Sequence, residues 1–249
     1  MSVTALQEAI RARKTPLALG ISPEPDKVSE KIKKNFIEMF GPGPMAEAES
    51  LRFHGTQALT AAEGKLPAAV ISAAAYLPYG MMGMDVLWNL VSAAKAKGFY
   101  VILDCAAADA APWLATGADG YTVTPYAGSG VCRPGEGEAV FALVRTAGVG
   151  ADEVQELRAG DRPLYAAVAE QMARHGAGLV VETGYSLDIR ELRRRCEKAF
   201  FLLKHCDAEN ALPAFDDYGH GALVVDDTIQ YGADVDAAIK AMKQWVSVV

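Results

Sequence analysis

At 249 residues, 51% of them hydrophobic, the chain can bury a large core, and with no Pro-, Gly- or Ser-rich linker a single domain spanning 1–249 is expected. A net charge of −7 disfavours nucleic acid and anionic membrane as partners, and no apolar run reaches membrane-spanning length. Four scattered cysteines, Cys105, Cys132, Cys196 and Cys206, include no Cys-x-x-Cys pair, which argues against a zinc module or a disulfide framework.

The N-terminus lacks the basic start, apolar middle and small-residue cleavage site of a signal peptide, so the cytoplasm is the expected compartment. Residues 1–14 read as an N-terminal helix over 3–13, with Leu6 and Ile10 on the face that closes the floor of the fold. A first β-prone apolar run at 17–21 precedes a helical insertion at 26–62, which Gly41-Pro-Gly-Pro44 breaks into two helices. Further strand-like runs follow at 68–74, 99–104, 120–124, 140–146, 178–183, 199–204 and 221–226. Helical spacing is plainest between them at 85–96, at 164–175 and from Ser186 onward. Eight strands alternating with helices over this length are the signature of an α/β fold, the (β/α)8 TIM barrel.

In such a barrel the loops at the C-terminal strand ends carry the chemistry, and there the third strand runs into Asp104-Cys-Ala-Ala-Ala-Asp109. Asp104 and Asp109 are candidate catalytic acids, or a solvated pair at a strand end. Arg145, Glu182 with Thr183, Lys204 with His205, and Asp226 end strands five to eight and are candidate ligand contacts. Arg145 suits an anion, or is a partner for Asp104 or Asp109. Lys204 is a desolvated nucleophile, or an ion pair of Glu182 or Asp226. One His among three carboxylates can hold a divalent ion, but the spacing is no metal motif, so neither metal nor cofactor is expected. The acids flanking Cys105 should raise its thiol pKa and blunt it. His54 and His220 show no partner in sequence and read as structural or solvated, and the basic run 190–198 reads as the solvent face of a helix.

Five segments resemble, in order, those of the orotidine 5'-phosphate decarboxylases, in their longer bacterial subgroup. Leu17-Ala-Leu-Gly-Ile-Ser-Pro23 resembles the opening Gly-x-Asp-Pro strand, and Thr122-Val-Thr-Pro-Tyr-Ala-Gly128 the Asn-Pro-Tyr-x-Gly loop. Phe141-Ala-Leu-Val-Arg-Thr146 resembles Leu-x-Arg-Thr-Ser, Gly178-Leu-Val-Val-Glu-Thr-Gly184 resembles Gly-Leu-Val-x-Gly-Ala-Thr, and Phe201-Leu-Leu resembles Phe-Leu-x-Pro-Gly. The family signature Asp-x-Lys-x-x-Asp keeps both acids here, as Asp104 and Asp109, but its lysine is Ala106. In the family that lysine protonates the carbanion left by carbon dioxide, which a methyl group cannot do. A second family lysine falls on Val70 or Ile71, and the acid of Gly-x-Asp-Pro on Ser22.

The resemblance also implies a phosphate grip, and its two loops are changed. Lys204-His-Cys-Asp-Ala-Glu-Asn-Ala-Leu-Pro213 replaces the Pro-Gly-x-Gly-Ala-Gln-Gly loop, and Val225-Asp226-Asp227-Thr228-Ile229 replaces the Ser-Arg-Gly-Ile turn. An acid in place of a cation near a phosphate turns attraction into repulsion, about 4 kcal/mol per charge pair at 4 Å and an effective dielectric near 20. The expectation is therefore a family member that has lost decarboxylation of orotidine monophosphate, either a binding or regulatory paralogue or an enzyme of changed chemistry. Its partner would be a small molecule, nucleotide-like or non-phosphorylated. The alternative is an active decarboxylase of pyrimidine biosynthesis with rearranged catalytic groups. The family pairs its barrels with active-site ends facing, which implies a homodimer meeting around Asp109 and Thr124-Pro-Tyr126.

Overall fold

The computed structural model describes residues 2–132, 137–182 and 186–249. Eight parallel strands form a closed barrel: β1 (Leu17–Ile21), β2 (Ala68–Ser72), β3 (Tyr100–Ala107), β4 (Gly120–Val123), β5 (Ala139–Arg145), β8 (Gly178–Glu182), β9 (Phe201–Lys204) and β10 (Ala222–Asp226). Between β5 and β8 lies a small antiparallel hairpin, β6 (Arg158–Ala159) and β7 (Arg162–Pro163). Around the ring the order is β1-β10-β9-β8-β5-β4-β3-β2, which is the expected TIM barrel with one extra ribbon that no sequence pattern announced.

Nine helices are present among the described residues: α1 (Val3–Arg13), α2 (Glu30–Phe40), α3 (Pro44–Ala62), α4 (Gly80–Ala96), α5 (Ala151–Gln155), α6 (Leu164–Arg174), α7 (Ser186–Arg195), α8 (Ala208–Ala211) and α9 (Val235–Lys243). Gly41 and Gly43, at φ 77° and 152°, separate α2 from α3. Pro44 opens α3, where its missing N–H has no intrahelical acceptor to lose.

Each barrel strand buries both faces, and alternation sends its residues into two cores. The interior core holds Ala18, Val70, Ile102, Phe141, Val180, Leu202 and Val225, and α1 closes it from below with fully buried Leu6 and Ile10. The outer core joins the other parity, such as Leu19, Ile71, Leu103, Val181, Leu203 and Val224, to the helices. Phe141 crosses the interior because its neighbours are glycines: a Cβ at Gly178 or Gly120 would come within 2.6 or 2.8 Å of its ring.

Within the basic run 190–198, which α7 carries as far as Arg195, Arg193 departs from the expected solvent face. Arg193 folds inward and donates to the carbonyls of Glu197 (2.9 Å), Ala199 (2.8 Å), Gly221 (3.1 Å) and Ala214, with its guanidinium 4.1 Å from the centre of the Phe201 ring. Burial pushes its pKa down to about 10. Four carbonyl acceptors and an aromatic face explain why a cation is retained there.

Candidate functional site

Strand parity builds the barrel mouth. Counting upward from the interior residues Ile102, Val180 and Leu202 by twos gives Asp104, Glu182 and Lys204, one from each of β3, β8 and β9. Glu182 and Lys204 are neighbours in register, whereas β9 and β3 stand four places apart in either direction round the ring, on opposite walls. Lys204 spans the mouth between them: Nζ donates to Asp104 Oδ2 at 2.7 Å and to Glu182 Oε1 at 2.7 Å. All three side chains are largely enclosed, with 15% of Lys204, 15% of Asp104 and 17% of Glu182 exposed. Burial alone would lower the Lys204 pKa, but Asp104 and Glu182 outweigh it and the pKa is raised, so the ammonium stays charged.

Thr122, on β4, completes the bridge. Its hydroxyl donates to Asp104 Oδ1 at 2.7 Å and accepts the Ala106 amide at 2.9 Å. This amide is presented because β3 shifts register between Leu103 and Ala107, and Ala106 takes a left-handed φ of 46°. Of the two possible counterparts of the second family lysine, Val70 faces the interior and Ile71 the outer core.

The structure redistributes the other candidates. Asp226 turns outward with Ala222 and Val224, and its Oδ1 accepts from the Thr228 amide (2.8 Å) and hydroxyl (2.6 Å). The next residue, Asp227, continues the inward parity of Leu223 and Val225; its Oδ1 lies where a Cβ on Gly20 would fall. Burial raises the Asp227 pKa, and Lys204 and His205 oppose the rise only in part. His205 is exposed, at φ 52°, and Thr183 lies outside the described residues. Asp109 is exposed, where its Oδ1 accepts the Ala111 amide at 2.9 Å and caps a short 3-10 turn.

Arg145 is neither an anion binder at the mouth nor a partner of Asp104 or Asp109. A register shift between Leu143 and Arg145 inserts one residue in β5 against β8, which reverses parity and turns Arg145 into the outer layer. There it is 7% exposed, lies over the Tyr165 ring, and pairs with Asp152 (2.8 Å), Glu156 (3.0 Å) and Asp188 (3.0 Å). Cys105 likewise faces outward, its thiol pushed up to about 11 by burial with help from Asp104. Among the described residues no three His, Cys, Asp or Glu side chains are grouped to hold a metal ion. His54, on α3, is buried against Tyr231, with its pKa lowered by burial, and His220 contacts Gln7 of α1 at the barrel floor.

The sequence assigns Thr122 no role at the site, and Asp227 only that of an acid in the turn that replaces the family's arginine. Both were legible in principle, since parity from Gly120 and from Val225 puts them inside once the strands are in register. The site is a lysine held between two carboxylates, with a hydroxyl on one and a third acid nearby. Such a set can hold a hydrogen-bonding ligand and move protons, and it offers no free cation to a phosphate.

No family model matches the chain. An orotidine 5'-phosphate decarboxylase of Thermomicrobium roseum is 30% identical over 210 residues, covering 77% of this chain and 70% of the relative. The structure of Leishmania donovani OMP decarboxylase superposes with a TM-score of 0.77 at 26% identity, over 96% of this chain and 95% of that one. That of Plasmodium berghei orotidine 5'-monophosphate decarboxylase gives 0.82 at 14% identity, over 98% and 96%, a likeness of fold.

Proposed function

The chain belongs to the orotidine 5'-phosphate decarboxylase family, and on that premise we propose that it no longer decarboxylates orotidine monophosphate and that its mouth serves a small ligand without the 5'-phosphate. The observation that carries this reading is the bridge from Lys204 to Asp104 and Glu182 across the barrel axis. A ligand entering on the axis must displace or extend two enclosed ion pairs. Ala106, where the family signature has lysine, has only a methyl group, so among the described residues no second ammonium pairs with Asp104. The loop after β9 carries Asp207 and the turn after β10 carries Asp227, two acids that oppose the remote binding energy such a substrate would need.

Asp104 and Lys204 are the proposed proton-handling pair, Glu182 and Thr122 orient them, and Asp227 is a third contact for ligand donors. A second reading, decarboxylation with rearranged groups, draws on the same 2.7 Å contact, because it sets an ammonium against the retained acid. The test is a spectrophotometric turnover assay with orotidine monophosphate, beside calorimetric titration with uridine monophosphate. We expect no turnover and no saturable binding; robust turnover by the unmodified protein would establish the second reading.

The same proposal includes a homodimer meeting at the rim, supported by exposed Asp109 and Tyr126, with sedimentation at micromolar concentration as its check. It also includes a cytoplasmic location. No helix among the described residues is long and apolar enough to cross a membrane.

A further inference from the structure

The opposite end of the barrel has a different electrostatic character. Beneath the strands, between the ends of α6 and α7, lies a cavity of about 580 Å³ bounded by Val3, Gly178 and Phe200. Its charged lining is Arg174, Arg194, Arg195 and Lys198 against Glu170 and Glu197, a cationic excess in a chain of net charge −7. The volume is that of an ordinary small-molecule site.

Cations at helix C-termini often do no more than offset the helix dipole and cap its last carbonyls, so that role has to be accounted for first. At α6 the capping is done by the backbone: Gly176, at φ 82°, donates to the Ala173 carbonyl (3.0 Å) and Ala177 to that of Met172 (3.2 Å). At α7 the Cys196 amide donates to the Leu192 carbonyl (2.8 Å), and Arg193 takes the carbonyls of Glu197 and Ala199 just past the helix end. Within the cavity, Arg195 is committed to Glu170 (3.0 Å) and Glu191 (2.5 Å), and Arg194 to Glu191 (2.9 Å). Among the described residues, Arg174 bonds only the neutral amide of Gln171 (2.6 Å), and Lys198 has no carboxylate partner.

We propose that this floor cavity is a binding site for a small multivalent phosphate anion, gripped by Arg174 and Lys198 with Arg194 at its edge. Two cations without acid partners, lining one concavity from the ends of α6 and α7, match a ligand with several anionic oxygens; guanidinium adds paired donors for phosphate. The acid-rich mouth would repel the same ligand, so the two ends of the barrel are selective for opposite charge.

The probe is inorganic tripolyphosphate, titrated into the full chain by calorimetry at 50 and 150 mM salt. The expected result is one saturable site, weakened about tenfold or more by the double variant Arg174→Glu/Lys198→Glu. The control Lys31→Glu/Lys34→Glu on α2 changes net charge equally at exposed positions outside the cavity and should leave affinity within about twofold. Arg174→Ala, milder in its effect on folding, should fall between the two. Absence of saturable binding, or equal weakening by both double variants, would overturn the proposal.

Discussion

Lys204 and Arg145 leave the same end of the barrel, at the ends of β9 and β5, and sequence spacing gives both the same rim position. Lys204 lies over the barrel axis, bound to Asp104 and Glu182, whereas Arg145 sits outside the wall among Asp152, Glu156 and Asp188. The difference is one residue: β9 keeps its register against β8, while β5 gains one before Arg145, and a strand's faces exchange with every such step. A side chain's role in this fold is therefore set by parity at the last turn of the strand, not by its distance along the chain.

Two substitutions test that contrast by stability. Lys204→Met should have the larger effect, about 3 kcal/mol by urea denaturation at pH 7.5, because it strands two enclosed carboxylates against each other. Adding Asp104→Asn to Lys204→Met leaves a single enclosed carboxylate and should recover part of that loss. A loss that the second change does not relieve would mean that the bridge matters only for packing. Arg145→Met should cost less, about 2 kcal/mol, since Asp152 and Glu156 are substantially exposed and only Asp188 is left partly enclosed. It should also leave ligand binding at the mouth unchanged. An Arg145 variant that altered mouth binding would contradict the outward placement.

The barrel was legible because its evidence is redundant: eight apolar runs, most of them separated by helical spacing, so that an error of a residue or two at any strand end leaves the count intact. The residue-level site was less legible because single insertions control it. Nothing in Phe141-Ala-Leu-Val-Arg-Thr146 marks Val144 as the residue at which the register shifts, and the short ribbon of β6 and β7 has no apolar alternation to reveal it. Asp226 and Asp227 show the same weakness at its smallest scale, where one position separates an outward turn acid from an inward one. The signature acids also divide: Asp104 enters the bridge, and Asp109, past the β3 irregularity, caps a turn at the surface. Arg193 was hidden for another reason, because its partners are main-chain carbonyls and carry no sequence signal.

At high pH, Lys204 gives a third test. Its folded pKa is raised, so its stabilisation is fully present below the unfolded lysine value of about 10.4 and is lost as pH rises through the folded value. As pH rises above about 10.4 the wild type should lose stability that Lys204→Met does not lose. Arg145→Met should retain that alkaline loss, since it leaves the lysine bridge in place. Equal alkaline slopes in wild type and the Lys204 variant would remove the argument for an enclosed, charged ammonium.

The smallest expected effect belongs to Asp227, and it is opposite in sign. Burial against Gly20 raises its folded pKa, with Asp226 and Asp104 adding repulsion, so ionising it disfavours the folded state. The stabilising contribution of such a group is present below the unfolded aspartate value of about 3.9 and disappears as pH rises through the folded value. Asp227→Asn keeps the shape and removes that ionisation, so it should stabilise the protein at pH 7 by about 1 kcal/mol or less, with the gain fading toward pH 3.5. Asp226→Asn, at the outward-facing neighbour, should gain nothing and lose a little, because Asp226 Oδ1 holds the Thr228 turn. If the two variants behaved alike in urea titrations at both pH values, parity would not distinguish adjacent acids here, and the inward placement of Asp227 would have to be abandoned. The sign expected for Asp227 also bears on function, because an acid retained where it destabilises the fold is better explained by a ligand that needs it than by packing.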